Sequence, residues 1–197
     1  MIYIEPDLTI ATYLTLLRIL VIPPVLAGLW IGNNVAIWIA FVLYSFACIS
    51  DYFDGYIARR TFTVSKFGAF LDPIADKLLV ASLILLLVAS QSLSGIHILS
   101  GLIILLREIA ISGLREYLAN SKQSEMPVTG LAKYKTTLQM LALGFLMVSN
   151  LDPMPAWITM IFYDVHLIGL ALIWLSALLT LYTGGQYFIH NFKRIDD

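Results

Sequence analysis

The sequence predicts an all-α, polytopic membrane protein of six transmembrane helices with both termini on the cytoplasmic side. Three observations predict it. Of 197 residues, 59% are hydrophobic and only 13% are Asp, Glu, Lys or Arg, whereas about a quarter of a soluble domain is charged. The mean hydropathy is +0.85. The apolar residues also fall in continuous runs near the ~20 residues that cross a bilayer as a helix, too long and unbroken for alternating barrel strands. Six such runs use roughly 120 residues, leaving short loops and one membrane domain over residues 1–197. A soluble globule, a disordered tail and a coiled coil are excluded. No exposed basic stripe remains that would suit a nucleic-acid partner.

The first span is expected at about 14–31, irregular near Pro23-Pro24. No basic n-region or cleavage site precedes it, so it reads as uncleaved. After Gly32-Asn33-Asn34, a second span over about 35–50 continues as a helix through Arg60. The third is expected to start near Pro73, a good first-turn residue, and to end near Ser90. The fourth covers about 96–119, the fifth 130–149 and the sixth 165–189. The linker 150–164 holds Asp152, Pro153 and Pro155, with Trp157 and Tyr163 suited to a membrane interface. Cys48 is the single cysteine, lies in an apolar run and reads as packing.

Orientation follows from Lys and Arg. With six spans, the N-terminus, the 51–76 region, the 120–129 loop and the C-terminus share one side. All twelve Lys and Arg fall there or in a helix leading there, and the opposite loops have none. The positive-inside rule makes that side cytoplasmic.

The stretch 51–76 carries the chemistry. Asp51 and Asp54 are spaced i,i+3 on the extension of the second helix, and Asp72 and Asp76 i,i+4 at the start of the third. Each pair projects from one helix face. Four carboxylates at a membrane edge repel one another and need a cation. Hard divalent ions with oxygen ligands fit, and two ions about 3.5–4 Å apart suit phosphoryl chemistry. Zinc is disfavoured, since no His or second Cys is near. Gly55 and Ala58 clear a floor on which a ligand can approach the backbone, Arg59 can pair with a diphosphate, and Gly68 permits a close turn. Taken singly, each of these residues reads as a cap, a packing residue or a topological anchor. Their combined spacing does not, because Arg59, Arg60 and Lys66 cannot readily serve all four acids.

On these residues the chain resembles the CDP-alcohol phosphotransferases. It matches D-x2-D-G-x2-A-R-x8-G-x3-D-x3-D at Asp51, Asp54, Gly55, Ala58, Arg59, Gly68, Asp72 and Asp76. The resemblance implies a six-helix membrane enzyme, usually homodimeric, that moves a phosphatidyl or similar group from a CDP-linked donor to an alcohol and releases CMP. It implies that Asp51, Asp54 and Asp72, with Asp76, hold two Mg²⁺ or Mn²⁺ ions. It also makes Asp76 the general base, with Asp54, Gly55, Ala58, Arg59 and Gly68 about the donor nucleotide and diphosphate. Segments reaching beyond the signature, namely 12–23, 67–81, 106–119 and 133–140, are similar to bacterial members whose acceptor is a glycerol phosphate. The implied partners are CDP-diacylglycerol, sn-glycerol 3-phosphate and membrane lipids, and the implied location is the bacterial cytoplasmic (inner) membrane. The usual Asn-x-x-Thr opening stands here as Thr9-Ile10-Ala11-Thr12.

A phosphate-bearing acceptor needs cations. Arg107 and Arg115 on the fourth helix and Lys133 and Lys135 on the fifth are the candidates, and Arg18 is a further one for the donor or for a network with Glu108. Lys133 and Lys135 lie about 200° apart around a helix, so one of them can be a simple anchor. Glu108, Ser112 and Glu116 follow at i,i+4 steps and are expected to hold the arginines. His97, His166 and His190 are assigned no catalysis. The competing readings are the same chemistry on phosphatidylglycerol, inositol phosphate or serine, an ion-coupled transporter with broken helices and repeated halves, and a prenyl transferase. The last lacks its second acidic motif here.

Overall fold

The computed structural model describes the backbone of residues 10–61, 66–120, 130–151 and 156–192, and the side chains of residues 12–51, 71, 73–116, 134–151 and 164–189. Every regular element among them is helical: α1 (Ile10–Ile31), α2 (Asn34–Thr61), α3 (Lys66–Ala89), a 3-10 turn (Gly95–His97), α4 (Ile98–Asn120), α5 (Gly130–Val148) and α6 (Ala156–Phe192). Among the described residues, four stretches are long and apolar enough to cross a membrane: Thr12–Ile31, Asn34–Asp51, Gly95–Glu116 and Asp164–Ile189. A helix satisfies all its backbone groups internally, which hydrocarbon demands. The exposed apolar side chains, such as Leu20, Trp30, Val42, Leu85 and Ile109, suit a lipid-facing surface.

The expected elements are present, with three boundary differences. The third helix begins at Lys66 and carries Pro73 in its interior rather than at its first turn. Proline inside a helix forfeits a bond to the carbonyl four residues back, a loss that membrane helices tolerate when neighbours satisfy the freed group. The first helix runs on through Pro23 and Pro24. The sixth begins at Ala156, because the apolar run 156–163 extends the helix into what reads as linker. Thr12 is a buried residue inside α1.

Packing pairs α1 with α2 and α3, α5 with α6, α4 with α6, and α2 with α5. Gly32 at φ 73° turns the chain after α1, and Asn33 Oδ1 accepts the Ala36 N–H at 2.8 Å, capping α2. Gly28 lets the two helices close up: a Cβ there would lie 2.6 Å from the Ala36 carbonyl oxygen and 2.7 Å from Ala40 Cβ. The shared core is aliphatic, built from Val25, Leu79, Leu83, Leu87, Leu143, Leu146 and Ile173 among others.

This packing sorts the polar groups by end. All the described Lys and Arg (Arg18, Lys77, Arg107, Arg115 and Lys135) sit toward one end, in the first half of α1 and α3, the start of α5, and the middle and second half of α4, beside the last part of α2 and the second half of α6. The other end holds neutral networks. There Ser92 donates to Asn150 Oδ1 at 2.5 Å, Ser149 Oγ lies 3.1 Å from His166 Nδ1, and Trp174 Nε1 donates to His97 Nδ1 at 3.0 Å.

Candidate functional site

At the charged end, α1 delivers Arg18 into the gap between α2 and α3. Its side chain is 2% exposed as a residue, so its charge must be met inside the protein. Nη2 reaches Asp51 Oδ1 at 3.0 Å, and Nη1 donates to Asp76 Oδ1 at 2.7 Å. One planar guanidinium thus ties the first and last acids of the 51–76 stretch together across two helices, the fork geometry that arginine supplies and lysine does not. Of the two readings of Arg18, the donor or a network with Glu108, these contacts place it with the acids assigned to the donor side. The carboxylates keep an open side, with side-chain exposures of 31% for Asp51 and 37% for Asp76.

Could this corner hold a divalent ion? Asp51 and Asp76 bring two hard oxygen donors to one point, the ligand chemistry that Mg²⁺ and Mn²⁺ take. Both line the same cavity. Among the described residues, no group of three or more His, Cys, Asp or Glu comes together. Asp54 and Asp72, the other two expected ligands, have side chains outside the described residues, as do Gly55, Ala58, Arg59, Gly68 and Lys133. The pair that is described fits the expected group.

A second, basic cluster faces it. Lys135 on α5 is 5% exposed and donates through Nζ to Glu108 Oε1 on α4. Arg107 Nη1 lies 3.3 Å from the same oxygen, and its Nη2 donates to Thr183 Oγ1 on α6 at 3.1 Å. Two cations share one carboxylate, which leaves a positive excess. Arg115 adds to it, with its guanidinium carbon 5.4 Å from the Tyr187 ring centroid, a cation–π contact. Lys77, next to Asp76, donates to Ser112 Oγ. Of the three residues expected to hold the arginines, Glu108 meets Arg107 and Lys135, while Ser112 meets Lys77.

Between the clusters lies a cavity of about 1410 Å³, lined by Asp51, Asp76, Lys77, Arg107, Glu108, Arg115 and Lys135 at its charged end. It exceeds the ~300–1,000 Å³ of ordinary small-molecule pockets. Its wall continues along α2 from Asp51 back to Trp38 and along α5 from Lys135 to Val148. Thirteen residues of helix make about 20 Å on each. This stretch is mostly apolar, with Phe41, Tyr44, Ile49, Val80 and Met140 among its lining. Tyr44 is fixed there by donating to the Met140 carbonyl at 2.8 Å, and Cys48 Sγ lies 3.7 Å from Met140 Sδ, so the cysteine is a lining residue as well as a packing one. A chamber with two opposed charge clusters at one end and an apolar groove behind them suits an amphiphile with an ionic head, together with a second, anionic ligand.

Sequence reasoning passed over Lys77, Gln139, Thr183 and Tyr187. Lys77 reads in the sequence as an anchor of topology. Gln139 is 3% exposed, lines the cavity, and its Oε1 has no hydrogen-bond partner among the described residues. Thr183 and Tyr187 flank Gly184-Gly185, a glycine pair inside a helix where each glycine costs ~1 kcal/mol against alanine. That cost was the available signal that α6 makes room for something.

Comparison with known proteins agrees with this geometry. Residues 8–182 match the model of the CDP-alcohol phosphatidyltransferase family. A Rickettsia felis protein named CDP-diacylglycerol–glycerol-3-phosphate 3-phosphatidyltransferase is 41% identical over 182 residues, which is 92% of this chain and 94% of the relative. Proteins of the same name are 37% identical in Cereibacter sphaeroides, over 91% of this chain and 94% of theirs, and 38% identical in Salmonella choleraesuis, over 90% and 92%.

Proposed function

Since this chain belongs to the CDP-alcohol phosphatidyltransferase family, we propose that it transfers the phosphatidyl group of CDP-diacylglycerol to sn-glycerol 3-phosphate, giving phosphatidylglycerophosphate and CMP. The observation that carries this reading is the single cavity that joins the Asp51–Asp76 corner to the Arg107–Lys135 cluster and extends about 20 Å along apolar helix faces. The relatives' names, over more than nine-tenths of the chain for the Rickettsia protein, point to the same reaction.

The donor lies with its acyl chains along α2 and α5 and its diphosphate at the acidic corner. Asp54, Gly55, Ala58, Arg59 and Gly68 border its nucleotide and diphosphate. Asp51, Asp54, Asp72 and Asp76 would hold the divalent metal, Mg²⁺ or Mn²⁺ and two ions by family likeness, which would supply charge neutralisation on the diphosphate. Glycerol 3-phosphate enters with its phosphate against Arg107, Lys135 and Arg115, with Lys133 at the same end of α5. Its 1-hydroxyl points toward Asp76, which accepts the proton. The freed oxygen forms a bond to the phosphorus that carries diacylglycerol, the bond from that phosphorus to the CMP oxygen breaks, and CMP departs with the electron pair. Arg18 holds the Asp76 carboxylate in place through its 2.7 Å contact.

All six helices span the bilayer in this reading. The two beyond the four apolar stretches have 24 residues in α3 and 19 in α5, about 36 and 28 Å against a hydrocarbon core of ~30 Å. Both termini and the charged end face the cytoplasm, where glycerol 3-phosphate is dissolved, and the membrane is the bacterial inner one. A homodimer is the expected assembly. The uninterrupted helices disfavour the transporter alternative, which needs broken ones.

The test is CMP release from CDP-diacylglycerol by purified protein with Mg²⁺ or Mn²⁺, adding glycerol 3-phosphate, phosphatidylglycerol, inositol phosphate or serine singly. Release with glycerol 3-phosphate alone, abolished by chelator, is expected. Release with another alcohol instead overturns the acceptor, and no release from folded protein overturns the reaction.

A further inference from the structure

We infer that α6 is a working part of the acceptor site: Thr183 and Gly184 are positioning residues that set the guanidinium of Arg107, and through it the affinity for an anionic acceptor. The inference rests on the proposed role of Arg107 and goes beyond it, because nothing in the 51–76 signature or in the basic residues points to α6.

The geometry is specific. Arg107 leaves α4 toward α6, and its side chain is 12% exposed. Thr183 Oγ1 accepts from Nη2 at 3.1 Å, while the same hydroxyl donates back to the Leu179 carbonyl at 2.8 Å. That back-bond aims the oxygen's lone pairs away from its own helix and at the arginine. Gly184 lies under the stem. A Cβ built there would stand 2.8 Å from Arg107 Nε, 2.9 Å from Cγ and 3.4 Å from Cδ. Heavy atoms of this kind rest at ~3.5–4.0 Å, so a single methyl must move the stem by most of an ångström. Glu108 Oε1 limits the move on the other side, at 3.3 Å from Nη1. Arg107 is thus clamped from three directions: a glycine floor, a threonine oxygen and a carboxylate. The next glycine gives an internal control, since a Cβ at Gly185 meets nothing within 4 Å.

Misplacing a positioning cation weakens the ligand it holds. Gly184→Ala is expected to raise the KM for glycerol 3-phosphate about tenfold or more, with kcat at saturating acceptor and the KM for CDP-diacylglycerol each held within about twofold. Gly185→Ala carries the same gain in helix propensity and is expected to leave all three unchanged. Thr183→Val, nearly isosteric but without the acceptor oxygen, is expected to raise the acceptor KM roughly 5–20-fold, and Thr183→Ser to restore it. Should Gly184→Ala fail to fold, the Val and Ser pair decides the matter alone. The inference is overturned if these variants leave the acceptor KM unchanged, or raise both KM values together, which marks a packing defect. A wild-type enzyme that accepts only a different alcohol refutes the acceptor assignment, and the same comparison made with that alcohol still decides the role of α6.

Discussion

Removing the charge of Arg18 tests how the acidic corner is held together. Arg18→Met keeps most of the length of the side chain and deletes, among the described contacts, those at 3.0 Å to Asp51 and 2.7 Å to Asp76. A hydrogen bond to a charged group is worth about 1.5–3 kcal/mol, and breaking a fully buried ion pair costs about 3–5 kcal/mol. Arg18 itself is buried, but the two carboxylates are about one-third exposed and water can partly replace the lost partner. The discounted loss is about 2–4 kcal/mol. In a chain of this size, 1 kcal/mol moves the melting temperature by about 2–4 °C, so the fall in apparent Tm is about 5–15 °C. The assay is thermal unfolding in detergent with a chelator, repeated with saturating Mg²⁺. An ion bound to the same carboxylates stabilises the folded state by mass action and replaces the missing positive charge, so the gap between variant and wild type narrows when Mg²⁺ is present. A variant that melts within about 2 °C of wild type in chelator would falsify the bridging role. An identical gap with and without the ion would show that metal and Arg18 do not share these oxygens.

Three further changes probe separate parts of the site. Asp76→Asn is expected to bind CDP-diacylglycerol nearly as well as wild type while turnover falls by about 10²-fold or more; equal losses in a binding assay and in CMP release would make Asp76 mainly a ligand for metal. Glu108→Gln removes the one carboxylate shared by Arg107 and Lys135, and is expected to lower stability by about 1–3 kcal/mol and raise the acceptor KM. An unchanged KM would mean that Glu108 serves the fold alone. Gly28→Ala inserts a methyl where 2.6 Å separates it from the Ala36 oxygen. It is expected to cost about 1–3 kcal/mol of stability with both KM values intact, since Gly28 lies at the uncharged end.

The architecture was legible because a bilayer allows so few solutions. Long apolar runs such as Val35–Ile49 can only be helices there; the six helices and their order agree between sequence and structure, and among the described residues four stretches are long and apolar enough to cross a membrane. The misses have a common cause. Pro73 and the prolines of 150–164 are strong local punctuation in water, but apolar neighbours such as Ala69 and Phe70 before Pro73, or Trp157–Phe162 after Pro155, let helices run through or start sooner. The acidic half of the site was legible from spacing, since Asp51 and Asp76 needed only two helices joined by a short connection. The basic half was legible as a set of charges and not as an arrangement. That Lys135 and Arg107 would share Glu108 depends on α4 and α5 both packing against α6, which no local pattern encodes. Thr183 and Gly184 were further from view, because a threonine and a glycine in an apolar helix ordinarily mean helix packing.

The arrangement of charge also bears on which way the acceptor would lie. Among the described residues, Asp51 and Asp76 meet Arg18 on one side of the cavity, and Arg107 and Lys135 share Glu108 on the other. Glycerol 3-phosphate offered backwards would put its phosphate at the corner assigned to the donor's diphosphate and leave Arg107 and Lys135 without an anion. Offered forwards, the phosphate meets Arg107 and Lys135 and the hydroxyl meets Asp76. Glycerol has the same hydroxyl and fits the same space, but gives the basic cluster nothing to hold and leaves two partly buried cations sharing one carboxylate. A site built around a charged group discriminates strongly against the analogue that lacks it, so kcat/KM for glycerol is expected to be lower by at least about 10²-fold. Adding salt should erode the preference, since attraction between charges in a water-filled mouth is screened over about 10 Å at 0.1 M. Comparable kcat/KM for the two acceptors, at low salt and with the same donor, would remove the basic cluster from the acceptor site and leave it a purely structural knot between α4, α5 and α6.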